Sequence, residues 1–255
     1  MYQSEARGDV MGLSLRIDID NPFGYATLFK KILNRISLDY NLVPHWSTLG
    51  YLDNAMKLRD YLEANSVPAT WYFRNITAPS GKDLSRFSRS PFDLALHAER
   101  TDTLLNFTKE VDQWKKAFGK QPTGFSKHGS GDLKLSRRHV MEYDDDAFVD
   151  LGVRLGFEHF SGNGTNYELR FEMREGLVFM PSVFWLDNIA LHPKDTTLDS
   201  VLEFSRNNSV IVLVHPIHWA IQPEVRSRLQ YVIEHADLQP ITAQVREFRE
   251  SKIHS

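Results

Sequence analysis

Apolar residues recur along this chain as short unbroken runs separated by longer stretches with helical spacing. Strand-like runs occupy residues 12–20, 68–74, 92–97, 124–126, 155–160, 188–192 and 210–215. Apolar residues at 49, 52, 55, 56, 58, 61 and 62 keep a period near 3.6 and predict a helix over 49–64. Residues 102–118 repeat that pattern, with acids early and Lys115 and Lys116 late, as the helix dipole favours. Asp102 is placed to cap that helix and Gly119 to close it. Further helices are predicted over 198–206, with Thr196-Thr197 as its cap, over 223–235, with Pro223 in the first turn, and over 241–250. Strand and helix alternating at this rhythm predict an α/β protein with a mainly parallel sheet of about seven strands, open or closed into a barrel. Residues 161–176, rich in Gly and Asn and then charged, read as an insertion or active-site loop. No repeat or linker divides the chain, so a single domain over 1–255 is expected.

Composition narrows the chemistry. The chain has 255 residues, a net charge of −3 and no basic arm, which argues against nucleic acid as a partner. It has no cysteine, so disulfides and thiolate metal sites are excluded, while ten histidines leave ample nitrogen ligands. No apolar run resembles a signal peptide or reaches membrane-spanning length, so a cytoplasmic protein without a membrane span is expected. The residues after the first strand, Asn21-Pro22-Phe23-Gly24-Tyr25, form neither a dinucleotide fingerprint nor a phosphate-cradling loop.

The chemistry gathers at predicted strand ends. The first run ends in Asp18-Ile19-Asp20, and residues two apart on a strand share a face. Two adjacent carboxylates need a cation, a shared proton or a division of roles. The alternative is a plain polar turn, with Asn21-Pro22 as the breaker. Other strand ends carry His97, His128 and His215. Active sites of α/β barrels lie at this end of the strands, and His with Asp is a natural donor set for a divalent ion.

In this order the segments resemble the polysaccharide deacetylases of carbohydrate esterase family 4. The residues that carry the resemblance are Asp18-Ile19-Asp20, Val67-Pro68-Ala69-Thr70-Trp71-Tyr72-Phe73, His97, Phe125-Ser126-Lys127-His128-Gly129 and Leu213-Val214-His215. They span roughly residues 12–219. The resemblance implies a distorted (β/α) barrel and metal-assisted hydrolysis of an N-acyl group. It makes Asp18 the general base, Asp20 and His97 metal ligands, and His215 the general acid. The implied ion is divalent: zinc first, with iron, cobalt, nickel or manganese as alternatives. The implied substrate is a small amino sugar or related carbohydrate, nucleotide- or lipid-linked, in surface-polysaccharide biosynthesis. Lys127, Gly129, Trp185, Leu213, His218 and Trp219 are the expected substrate contacts, and a backbone N–H near His128-Gly129 is placed to hold the oxyanion.

Two departures bear on activity. Thr101 stands where the family has its second ligand histidine, and the arginine that orients the base falls at Ser126 or Lys127. Three readings follow. His128 completes the set with Asp20 and His97, the reading preferred here; Glu99 or Asp102 coordinates instead; or metal and activity are lost, leaving a non-catalytic carbohydrate-binding or scaffold protein.

Overall fold

A computed structural model describes residues 12–20, 27–29, 32, 51–79, 81–89, 91–128 and 143–253. The polar start at 1–9, the turn at Asn21-Pro22, the helix start at 49–50 and Gly129-Ser130-Gly131 lie outside them.

Among the described residues nine strands form one sheet: β1 (Gly12–Ile19), β2 (Ala69–Phe73), β3 (Phe92–Ala98), β4 (Gly124–Lys127), β5 (His159–Gly164), β6 (Glu172–Arg174), β7 (Leu177–Ser182), β8 (Phe184–Trp185) and β9 (Ser209–Val214). Their order is β6-β7-β5-β4-β3-β2-β1-β9-β8. All ladders are parallel except β6 with β7. Strands of a parallel sheet are covered on both faces, which explains their nearly continuous apolar runs. On β1, Leu13, Leu15, Ile17 and Ile19 face the helices, while Ser14, Arg16 and Asp18 alternate onto the inner face.

Contacts across that inner face show how strongly the sheet curls. Arg16 on β1 donates from Nη1 to Ser161 Oγ on β5 at 2.9 Å, and Tyr72 Oη on β2 lies 3.1 Å from His159 Nε2 on β5. Four ladders separate β1 from β5, about 19 Å in a flat sheet. Only a sheet bent into a half-barrel brings them within one side chain's reach. Among the described residues no ladder joins β6 to β8, so the curl is not closed by hydrogen bonds.

Helices cover the outside. In helix Leu104–Phe118, the buried residues Phe107, Val111, Trp114 and Phe118 form one stripe. Its N-cap is Thr103, which accepts from the Asn106 N–H, and Gly119 ends it in the left-handed region at φ 71°. The helix Ile241–Ile253 plugs the N-terminal end of the barrel. Its Ile241, Val245 and Phe248 join Tyr72, Met180 and Leu213 in the inner cluster. The Ile241 N–H donates to Thr70 Oγ1 and the Gln244 amide to the Gly12 carbonyl, anchoring the plug to β2 and β1. The opposite end, where β1, β3, β4 and β9 finish, carries the polar side chains.

Several sequence expectations are corrected. The described residues hold nine strands, where about seven were expected. Residues 188–192 contain a 3₁₀ turn, Ile189–Leu191, not a strand: the Leu191 N–H donates to the Asn188 carbonyl and the His192 N–H to the Ile189 carbonyl. The stretch 161–176 is not wholly a loop: it holds the end of β5 and all of β6. The run 155–160 is mostly the turn after helix Asp145–Arg154, and the strand starts at His159. Asp102 does not cap helix Leu104–Phe118; it accepts from the Asn106 side chain at 2.7 Å.

Candidate metal centre

Arg16 and Asp18 share the inner face of β1, and the guanidinium reaches along the strand to the carboxylate. Nε donates to Asp18 Oδ1 at 2.9 Å and Nη2 to Oδ2 at 2.7 Å, a bidentate pair buried at both ends. The rest of the guanidinium is satisfied from β5: the Ser161 carbonyl and hydroxyl, the Gly162 carbonyl and Asn163 Oδ1 accept at 2.8–3.2 Å. Burial alone would raise the Asp18 pKa; the Arg16 charge, then His97, outweigh it and hold the carboxyl below its usual range.

Asp20, two residues on, emerges past the strand end and is half-buried. Its Oδ1 lies 2.7 Å from His97 Nε2 and 3.1 Å from His128 Nδ1, and those two nitrogens are themselves 3.1 Å apart. His97 is aimed by a 2.6 Å contact between Nδ1 and Ser126 Oγ on the neighbouring strand. The backbone behind the cluster is tied down by Arg74, which donates to the Asp20 carbonyl and to Glu99 Oε1, and by Thr77 Oγ1, which donates to the Ile19 carbonyl. Burial lowers the His128 pKa to about 4, helped by Arg74, so its imidazole is neutral. Burial would raise the Asp20 carboxyl, but the surrounding imidazoles, His128 first, bring it well below the carboxylate norm. Neutral imidazole and ionised carboxylate are the ligand forms of both groups.

His215 follows β9 and opens the short helix Pro216–Ile221. Its backbone N–H and Nδ1 both engage Asp187 Oδ2, at 2.8 and 2.7 Å, and its Nε2 lies 3.3 Å from Asp20 Oδ2. Burial would lower this imidazole's pKa; Asp187, then Asp20, raise it well above the ordinary value instead.

Asp18, Asp20, His97, His128 and His215 thus meet at one place. The other anticipated residues divide. Trp185 lies against His215, with ring centroids 6.0 Å apart, and His218 approaches the same ring edge-on at 5.8 Å. Leu213 is buried in the inner cluster, paired in register with Arg16. Lys127 alternates away from Ser126 and donates from Nζ to the Glu99 carbonyl, near the buried Glu110 and the half-buried Glu99 carboxylates. Trp219 packs on Tyr61 in the outer layer, its ring facing the Arg226 guanidinium. Gly129 is outside the described residues. Thr101 is buried. Neither Glu99 nor Asp102 belongs to a donor cluster among the described residues. His159 bonds Tyr72 inside the barrel, and His192 bridges the Trp185 N–H and the Thr165 carbonyl.

Sequence reasoning missed Arg16, Ser126 and Asp187. Arg16 left a signal: a charge inside an apolar run, in the same alternating row as Asp18. Asp187 left none, since it reaches His215 only through the pairing of β8 with β9.

No family model matches the sequence, nor does any curated protein. Solved structures do match. A putative polysaccharide deacetylase from Mycobacterium smegmatis is 14% identical, with 99% of this chain and 93% of that one covered and a TM-score of 0.62. A probable polysaccharide deacetylase from Pseudomonas aeruginosa PAO1 is 11% identical, with 98% and 93% covered and a TM-score of 0.57. The chain has the polysaccharide deacetylase fold. An allantoinase, Puue, is also similar, at 11% identity with 98% and 92% covered and a TM-score of 0.57. The deacetylase fold therefore hosts more than one activity, and function has to be read from the site.

Proposed function

We propose that the protein is a metal-dependent hydrolase of the deacetylase type, which removes an N-acyl group from an amino sugar or related carbohydrate. The observation that carries this reading is the convergence of Asp20 Oδ1, His97 Nε2 and His128 Nδ1, with mutual separations of 2.7, 3.1 and 3.1 Å. Ligand atoms around one tetrahedral zinc-like ion stand about 3.3 Å apart, so the donors fit such an ion with little movement. His128 takes the place that Thr101 leaves without an imidazole. When bound, the ion polarises the acyl carbonyl and makes the attacking water more acidic.

The chain's own residues supply the rest. Asp18, kept ionised by Arg16, accepts the water proton. Asp187 holds the proton on His215 Nδ1, which leaves Nε2–H facing Asp20 and the site, placed to protonate the leaving amine. Trp185 offers an aromatic face beside His215 for a sugar ring or acyl group, and Leu213 and His218 border the same region. The substrate class proposed is a small carbohydrate, nucleotide- or lipid-linked, as an intermediate of surface-polysaccharide synthesis. Among the described residues no helix is long and apolar enough to cross a membrane.

The test combines elemental analysis with amine release from a panel of N-acetylated amino sugars. One tightly held divalent ion, lost together with activity in His97→Ala and His128→Ala, is the expected result. A purified chain that binds no divalent ion, or an Asp20→Ala variant with unchanged metal and turnover, would exclude the reading. Thr101 favours the alternative of a non-catalytic carbohydrate-binding or scaffold barrel, and a chain that binds carbohydrate but neither holds a divalent ion nor releases amine would establish it.

A further inference from the structure

We infer that Asp187, His215 and His218 form a second cation site beside the first, filled at higher metal concentration and inhibitory when filled. Its composition is independent of the proposed function; only the inhibition rests on that reading. Each of the three residues offers one ligand atom, and these atoms lie within 4.8 Å of one another. The donor set, one carboxylate and two imidazoles, repeats that of Asp20, His97 and His128. Such nitrogen and oxygen donors suit zinc and its first-row neighbours.

An Asp–His pair that only orients a proton needs Asp187 and His215 and nothing more. His218 adds a third donor that this pairing does not use. It stands one helical turn after His215, and its ring meets the His215 ring edge-on at 5.8 Å. Its Nδ1 lies 2.9 Å from the side-chain amide of Gln222. A glutamine amide presents either its oxygen or its nitrogen. With the oxygen presented, Gln222 accepts Nδ1–H and leaves the Nε2 lone pair for an ion. A ligating histidine is usually fixed by such an outer partner. Asp187 supplies the negative charge from a nearly buried position, its side chain 2% exposed.

The two sites abut through one carboxylate. Asp20 Oδ1 faces His97 and His128, and Asp20 Oδ2 lies 3.3 Å from His215 Nε2. The first set is already drawn to within 3.1 Å, whereas in the second an ion has to displace the 2.7 Å hydrogen bond between His215 Nδ1 and Asp187 Oδ2. That competition makes the second site the weaker. An ion held by Asp187 and His215 takes the place of the proton between them, which is released to solvent, and so removes the contact that aims His215 at the first site; excess metal therefore lowers turnover.

The full chain, stripped with chelator, is titrated with zinc by calorimetry, and bound zinc is counted after gel filtration. Native protein is expected to bind two ions, one tightly and one weakly. His218→Ala keeps the tight ion, and its weak affinity falls by roughly 100-fold or more, beyond the 10- to 100-fold typical of outer-shell losses. Asp187→Asn provides a second variant with the same expectation, and circular dichroism checks that both are folded. The ratio of activity at excess zinc to activity at one equivalent rises in His218→Ala. If native and His218→Ala proteins bind the same number of ions with the same affinities, the inference is overturned. That result leaves the proposed function intact so long as His128→Ala still loses the tight ion. Conversely, a weak ion lost in His218→Ala, with no tight ion in the native protein, supports the second site and overturns the proposed function.

Discussion

Arg16→Met separates the cation at the base of the site from its carboxylate. Methionine keeps an unbranched apolar stem but leaves Asp18, 2% exposed, without the two charged donors at 2.7 and 2.9 Å. Removing one partner of a buried ion pair costs roughly 3–5 kcal/mol, because the surviving charge stays desolvated. For a chain of this size each kcal/mol corresponds to about 2–4 °C in Tm, so a fall of roughly 6–20 °C is expected. The assay is urea unfolding and calorimetry of the native protein, Arg16→Met, Asp18→Asn and the double variant. Replacing both partners removes the unpaired charge, so the double variant is expected to be more stable than the sum of the single losses predicts. The pH dependence has a definite sign. Asp18 has a lowered folded pKa, so its stabilising contribution is present above the ordinary carboxylate value and is lost as pH falls through the folded value. The gap between native and Arg16→Met is therefore widest at neutral pH and narrows below about pH 4. A cost within about 1 kcal/mol at neutral pH, the size of an exposed pair, or a strictly additive double variant, would refute the reasoning.

Three further outcomes are expected. His215→Ala lowers turnover by roughly 10²-fold or more while the tightly held ion stays, as elemental analysis will show; loss of that ion would make His215 one of its ligands. Gly124→Ala places a Cβ 1.9 Å from His159 Nε2 and costs roughly 1–3 kcal/mol by overpacking; Tm recovers in part when His159→Ala is added, unless the clash is not the cause. Glu110, buried and accepting the Glu99 and Arg100 backbone N–H groups, has its pKa raised from 4.5 to about 7 by burial and then by Glu99. Its contribution is full below 4.5 and is lost as pH rises through about 7, so Glu110→Gln flattens the Tm–pH curve in that window, and an unchanged curve would assign the slope elsewhere.

Strands with uninterrupted apolar runs were legible because both of their faces are covered. Residues 12–20, 68–74, 92–97 and 210–215 became β1, β2, β3 and β9 with ends displaced by a residue or so. The helix read over 102–118 kept its Gly119 stop, and Thr197 caps Leu198–Ser205. The failures lie where packing overrides local pattern. Leu177–Ser182 includes Pro181, which argues against a strand, yet β7 pairs with β5 and with β6. Asp145–Arg154 went unread although Asp144 caps it through Asp146 and Ala147.

By itself the sequence determined the alternation of strand and helix, the placing of Asp18 and Asp20 on one side at the end of the first strand, and the arrival of His97 and His215 at strand ends. These follow from periods of 2 and 3.6, which are properties of a few neighbouring residues. Only the tertiary structure decided that His128 meets His97 and Asp20, that Arg16 is satisfied from β5, and that Asp187 holds His215. Each of these joins residues from 28 to 147 positions apart. Sheet order, register and curl set such distances, and they emerge from the packing of the whole barrel rather than from any local stretch of it.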